Sequence, residues 1–186
     1  MSIDTHEQVI AQFRADADRF GAVVRSGGTW SGTSPCEGWT AVDVLDHVIE
    51  TQRDFAAQHG VDLGPVPSGD PAERWAAHLA TLLPALTPEL LARGFDGYFG
   101  PTTVASTLEN FYGFDLVAHR WDLGAGLGQE VTFSDAELDR LEAALPAPGT
   151  AHHEAFYSDG VVHAPLPVTP GASRQTVVLA ALGRRA

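Results

Sequence analysis

Lysine is absent from the chain, and cysteine occurs once, at Cys36. A single thiol excludes an internal disulfide and any metal or cluster site built on several cysteines, and it fits a reducing cytoplasm. All 11 basic residues are arginine, against 24 acidic ones, which leaves a net charge of −13. That balance argues against a nucleic-acid partner, which needs a basic face. No apolar run approaches the roughly 18 residues of a membrane helix. The opening Met1-Ser-Ile-Asp-Thr-His-Glu lacks the basic-then-apolar pattern of a signal peptide. The expectation is a cytoplasmic protein with neither a membrane nor a nucleic acid as partner. A Gly-x-Ser-x-Gly nucleophile turn and a His-Glu-x-x-His zinc-peptidase motif are missing too.

What is present is helical periodicity. An apolar share of 44% over 186 residues suits one sizeable globular domain. Val9, Ile10, Phe13, Ala17, Phe20 and Val24 recur at steps of three and four, predicting a helix over 5–25 with Thr5 and Gln8 as its capping box. Thr40 with Asp43 caps a second helix carrying Val44, His47, Val48 and Thr51 in one stripe and fading near Gly60. Asp70-Pro71-Ala72-Glu73 opens a third, which Pro84 kinks or ends, and Thr87-Pro88-Glu89 opens a short further turn. Phe95 to Tyr98 reads as extended, and Pro101-Thr102 leads into a fourth long helix over about 103–124, ended by Gly124, Gly126 and Gly128. Ser134 to Glu137 caps a fifth helix reaching about Leu145; 150–172 reads as irregular, with Val161, Val162 and Val168 as strand fragments. Ser173 to Leu182 forms a last short helix. The sum is an all-α antiparallel bundle of four main helices with short extras, spanning 1–149, and an irregular tail, 150–186, packing on the same domain.

The chemistry concentrates in the fourth helix. Asp115 and His119 are four apart, hence stacked on one face, and Leu108, Phe111, Leu116 and Leu123 share or flank that face. A carboxylate and an imidazole turned inward are costly unless something satisfies them. A divalent metal held by His47, Asp115 and His119 is one answer; core histidines satisfied by carboxylates is the other. Two imidazoles and one carboxylate leave a position open for water or substrate, which suits zinc and also iron(II). Asp43 repeats the spacing to His47 but fits better as a helix cap, Asp122 is placed to orient an imidazole, and Asp46 faces water. Cys36 precedes a helix N-terminus, where a thiol is either reactive or simply packed. His6, His59 and His78 read as surface or packing residues, and His152 and His153 fall in the irregular segment. Gly124-Ala-Gly126-Leu-Gly128 comes after a helix and not a strand, so it terminates a helix instead of cradling a nucleotide.

Two blocks carry a resemblance: Ser34-Pro-Cys-Glu-Gly-Trp39-Thr40 with Val44-Leu45-Asp46-His47, and Asp115-Leu-Val-Ala-His119-Arg-Trp121-Asp122-Leu. Together they resemble the DinB/YfiT-like metal-binding superfamily, and within it the N-terminal domain of mycothiol-dependent maleylpyruvate isomerase. The resemblance covers roughly 5–145, and Leu179-Ala-Ala-Leu-Gly183-Arg184 is similar to the family's tail. It implies an up-down-down-up four-helix bundle holding a divalent ion, zinc or nickel above others, on His47, Asp115 and His119. It also implies chemistry on a low-molecular-weight thiol such as mycothiol or bacillithiol, with Arg120 or Arg184 receiving a substrate carboxylate or standing at the surface. Two departures stand out: Asp115 occupies the place of a glutamate in the isomerase, and only a short tail stands in place of its C-terminal domain.

Two functions are expected on these grounds. One is a metal-dependent thiol S-transferase or isomerase acting on a small electrophile, its partners being that substrate and the thiol, with a homodimer left open. The other is a non-catalytic protein binding a metal or ligand in a stress-response or regulatory role.

Overall fold

Side chains that cap helix ends set most of the boundaries in this chain. The computed structural model describes residues 3–98, 100–158 and 162–185. Helix α1 spans Ile3–Ser26 and buries Val9, Phe13, Ala17, Phe20 and Val24, until Gly27 turns left-handed (φ 67°). Neither Ile3 nor Asp4 breaks a helix, so Thr5 lies inside the first turn and is not the expected cap. Helix α2, Ala41–Gln58, opens on the Thr40–Asp43 capping box, in which Asp43 Oδ2 accepts the Thr40 N–H at 2.8 Å. Helix α3, Pro71–Ala85, opens on the box formed by Asp70 and Glu73 and holds Pro84 in its last turn. Thr87 caps the single turn α4, Pro88–Leu91.

A short hairpin comes next. Strand β1, Gly94–Gly97, lies in the stretch expected to be extended and pairs antiparallel with β2, Gly100–Thr103. The second strand occupies residues that the sequence assigned only to a lead-in. Thr103 caps α5, Val104–Thr107, which runs into a π-helical turn, Leu108–Tyr112, and then α6, Gly113–Leu127. Thr107 and Gly113 both keep right-handed helical dihedrals, so the three pieces form one rod. A π turn inserts an extra residue and rotates the helix before it relative to the helix after it. Phe111, expected on the inward face, is therefore 45% exposed, and Tyr112 is buried in its stead.

The glycines of the rod's far end do not terminate it where expected. The helix continues through Gly124 and Gly126, and Gly128 closes it in the left-handed region (φ 76°). Gly126 serves close approach: a β-carbon there would lie 3.1 Å from Ala41 Cβ, and one on Gly32 would run into the Gly126 carbonyl. The start of α2 and the loop before it are thereby pressed against α6.

Cross-helix contacts fix the directions. Ala41 meets Gly126 while Tyr112 donates to the Thr51 carbonyl, so α2 and α6 are antiparallel. Arg74 pairs with Asp46 and His78 with Gln52, so α2 and α3 are parallel. Gln129 donates to the Val23 and Gly27 carbonyls, which places the ends of α1 and α6 together. Helix α1 packs on α3 and α6, and α2 packs on the same two. The result is the expected up-down-down-up bundle, with Phe13, Phe20, Leu45, Ile49, Trp75, Leu116 and Leu123 at its centre.

This first unit ends at Glu130, before the fifth helix of the sequence reading, and Val131–Ala186 form a second. In it, Ser134 and Glu137 cap α7, Asp135–Ala144, and Ser173 caps α9, Arg174–Ala181. Arg174 bridges back to Asp139 and Glu142. The stretch expected to be irregular contains α8, Ala151–Ser158, where the Thr150 hydroxyl accepts the His153 N–H at 3.1 Å. Its residues lack the three-and-four apolar step, so only this capping threonine marked it. Val162 and Val168 belong to no strand, and Val161 lies outside the described residues. Among the described residues, no helix is long and apolar enough to cross a membrane.

The packing makes stability testable at two positions. Gly32→Ala forces the loop off α6 and should lower unfolding free energy by about 1–3 kcal/mol in urea titrations; an unchanged midpoint would contradict that contact. His78 is 0% exposed, its Nε2–H donating to Gln52 Oε1 at 2.8 Å, and burial, with Arg53 nearby, pushes its pKa down to about 4. The unfolded chain, titrating near 6.5, binds the proton more readily, so this group's contribution is complete above 6.5 and is lost as pH falls toward 4. The loss amounts to about 3 kcal/mol. His78→Gln should flatten stability against pH across that window, and an undiminished acid slope would refute the assignment.

Candidate metal centre

The rod formed by α5, the π turn and α6 presents Asp115, His119 and Asp122 on one face, at steps of four and three. Helix α2 presents His47 toward them. Ligating atoms of His47, Asp115 and His119 all lie within 4.8 Å of one another, and the two imidazole centroids are 5.0 Å apart. The three residues expected to share a site are therefore brought together. His119 Nε2 is 3.2 Å from Asp115 Oδ1, and on the other side of the ring Nδ1 is 2.9 Å from Asp122 Oδ2. Asp122 is fully buried and lies on the Nδ1 side of the His119 ring. Hydrogen bonds one turn away tie the helices in register: the Thr51 hydroxyl donates to the His47 carbonyl at 2.9 Å, and Tyr112 Oη to the Thr51 carbonyl at 3.1 Å.

The charges around the two rings act in opposite directions. Burial lowers the pKa of His47, with His119 adding to the fall and Asp115 and Glu50 opposing it. Burial also pulls His119 down, but the Asp115 charge and hydrogen bonds to Asp115, Asp122 and Cys36 outweigh it and raise that pKa well above the ordinary imidazole value. The two carboxylates thus draw positive charge to this point of the core. A proton on His119 answers part of the demand, as the reading of satisfied core histidines requires. It leaves Asp115 Oδ2 buried with no hydrogen-bond partner among the described residues. Two imidazole nitrogens and a carboxylate are a donor set that a divalent cation fits.

The loop before α2 supplies two further residues. Trp39 lies over both imidazoles, its ring centroid 4.8 Å from that of His47 and 6.1 Å from that of His119, nearly parallel to the latter at 25°. Cys36 Sγ is 3.4 Å from Asp122 Oδ2 and 4.0 Å from His119 Nδ1. The loop is fixed by a Thr33–Thr40 bridge, by the Ser34 N–H donating to the Trp39 carbonyl at 2.9 Å, and by the Cys36 N–H donating to Ser34 Oγ at 3.2 Å. Sequence reasoning gave Trp39 no role. Its place directly before the Thr40 cap, two helical turns ahead of His47, is the signal that could have found it.

Other expected residues fall elsewhere. Asp43 is occupied as the cap of α2, and Asp46, half-exposed, pairs with Arg74 instead of facing water alone. Arg120 is 6% exposed, about 100° round α6 from His119, so the surface role allowed for it does not hold. Arg184 belongs to the second unit, where Nη1 donates to the Leu182 carbonyl at 2.9 Å. His6 and His78 are buried, and His59 packs between Phe55 and Phe95. His152 and His153 lie in α8, against Phe156 and Tyr157.

Fold and cluster together define a helical-bundle protein with a histidine–carboxylate cluster between facing helices, a common place for cofactor sites in such bundles. Residues 10–124 match the mycothiol maleylpyruvate isomerase N-terminal domain family, and the chain belongs to it. The match runs from α1 into α6 and includes His47, Asp115, His119 and Asp122. No curated protein and no solved structure matches the chain.

Trp39 offers a direct readout of this cluster. Adding an open-shell ion such as Co²⁺ or Ni²⁺ should quench part of the tryptophan fluorescence, and Trp39→Phe should remove that part while leaving ion uptake intact. Equal quenching in both proteins would dissociate the indole from the cluster.

Proposed function

We propose that this protein is a divalent-metal-dependent enzyme that uses a low-molecular-weight thiol of the mycothiol type, as an S-transferase or isomerase acting on a small electrophile. The observation that carries the reading is the convergence of His47, Asp115 and His119 around the unpartnered Asp115 Oδ2. His47, Asp115 and His119 would hold the ion, zinc or nickel being suited to that set. When bound, it supplies Lewis-acid chemistry that deprotonates a thiol whose free pKa is about 8.5.

The chain's own residues do the rest. Asp122 accepts the Nδ1 proton of His119 and so fixes the tautomer that turns an Nε2 lone pair into the cluster. Asp115 brings the one negative charge among the three donors, and three protein donors leave room for the sulfur of a cosubstrate. Trp39 walls the imidazoles on one side, excludes water there and presents an apolar face to a small substrate. The family's association with mycothiol supports the choice of thiol. The reading places the protein in the cytoplasm, where such thiols are kept reduced.

Elemental analysis of protein purified without a histidine tag should find close to one divalent ion per chain in the wild type and little in His119→Ala. Turnover of a model electrophile with mycothiol should fall at least about 100-fold in that variant, the loss of roughly 3 kcal/mol of transition-state stabilisation. Equal metal content in the two proteins would remove the site. Metal lost without any change in turnover would instead show that the ion has no part in that reaction.

A further inference from the structure

We propose that Cys36 is a positioning residue of this centre, acting on His119 through Asp122; the inference rests on the metal reading above. The thiol is the lone sulfur nucleophile of the chain, and the thiol chemistry proposed above gives it no part. Its Sγ–H donates to Asp122 Oδ2 at 3.4 Å, and the same oxygen accepts the His119 Nδ1–H at 2.9 Å. Asp122 is 0% exposed, so solvent contributes nothing to holding that carboxylate, and every donor aimed at it bears on its orientation. The carboxylate in turn decides where the imidazole points.

Three features separate this role from the alternatives. Direct ligation by Cys36, His119 and Asp122 would spend the Nδ1 proton that Asp122 accepts and still leave Asp115 Oδ2, the buried oxygen without a hydrogen-bond partner, unanswered. A bystander thiol would need no fixed aim, yet the segment around Cys36 is held by the Ser34 hydroxyl, the Ser34–Trp39 backbone bond and the Thr33–Thr40 bridge. Gly32 adds a steric anchor, since its backbone sits against the Gly126 carbonyl, one turn beyond Asp122 on α6. The loop that delivers the donor is thus registered on the helix that carries both of its targets.

The test compares wild type, Cys36→Ala, Cys36→Ser, Asp122→Ala and the Cys36→Ala/Asp122→Ala double variant, each checked for native circular dichroism. Zn²⁺ affinity is read by chelator competition, and Co²⁺-loaded protein by its absorption spectrum. Removing a group bonded straight to a metal ligand typically weakens affinity by about 10–100-fold. Cys36, one bond further out, should give about fivefold in Cys36→Ala, with most of it recovered in Cys36→Ser, which keeps a donor. In the Asp122→Ala background, Cys36→Ala should change affinity less than about twofold, because the intermediary is gone. Wild type should show no near-ultraviolet thiolate-to-cobalt band.

Equal affinity in wild type and Cys36→Ala overturns the proposal, as does a full additional loss in the double variant. Equal loss in the Ala and Ser variants overturns it in favour of packing by sulfur, and a charge-transfer band that Cys36→Ala abolishes does so in favour of direct ligation. The affinity outcomes leave the three-ligand site standing, whereas the charge-transfer band would move the ion to the Cys36, His119 and Asp122 cluster. A wild type that takes up no ion at all removes that site together with this proposal.

Discussion

His119 is held at both ring nitrogens, with Asp122 Oδ2 2.9 Å from Nδ1 and Asp115 Oδ1 3.2 Å from Nε2. An imidazole in a bundle core is tolerable as a neutral ring with one partner; two flanking carboxylates ask for more positive charge than that. This demand raises the His119 pKa above the ordinary imidazole value, whereas burial, with His119 beside it, lowers that of His47, 5.0 Å away. The proton, or a cation in its place, is drawn to the ring between the carboxylates, and the second ring stays neutral and able to donate a lone pair. A neutral imidazole, an oriented imidazole and a carboxylate with a spare oxygen are donors that a divalent cation fits, on side chains that would otherwise weaken the core.

The backbone accommodates that cluster at both ends of the α2–α6 pair. At one end, Gly126 and Gly32 allow α2 and its preceding loop to approach α6 so closely that even a methyl group would intrude. At the other, the π turn over Leu108–Tyr112 resets the helical phase just before Asp115. It swings Phe111 out to solvent and brings the Tyr112 hydroxyl onto the Thr51 carbonyl. π turns lower local stability and recur near functional sites, where a side chain must depart from the ideal register. Here the departure belongs to Tyr112, and Asp115 inherits the corrected phase.

Much of this was legible from residue order. Capping boxes at Thr40, Asp70 and Ser134 and the three-and-four apolar steps of α1 are local signals that placed the helix starts within a residue or two, and the pairing of Asp115 with His119 was as local. The π turn was not legible, because Leu-Glu-Asn-Phe-Tyr reads equally well as an α-helix and only tertiary packing selects the bulge. Helix α8 was missed for want of periodicity, and β2 because a strand beginning Gly-Pro has no pattern without its partner β1. Of the site, the three proposed ligands and Asp122 could be read from helical spacing and from the resemblance. Cys36 could not, since a loop's spacing says nothing about which helix it folds against, and Trp39 was marked only by its place directly before the Thr40 cap.

The shorter carboxylate at 115 is intelligible in the same terms. An aspartate reaches one methylene less far than a glutamate would, so donor atoms of His47, Asp115 and His119 come within 4.8 Å of one another only where α2 and α6 stand close. The contact of Gly126 with Ala41, 3.1 Å for a hypothetical β-carbon, lies on the same pair of helices and draws them together. A bulkier residue at either position would spread α2 from α6 and separate His47 from a side chain too short to reach it. The length of the carboxylate side chain at 115 and the small residues at the far end of the pair thus act on one distance, that between α2 and α6.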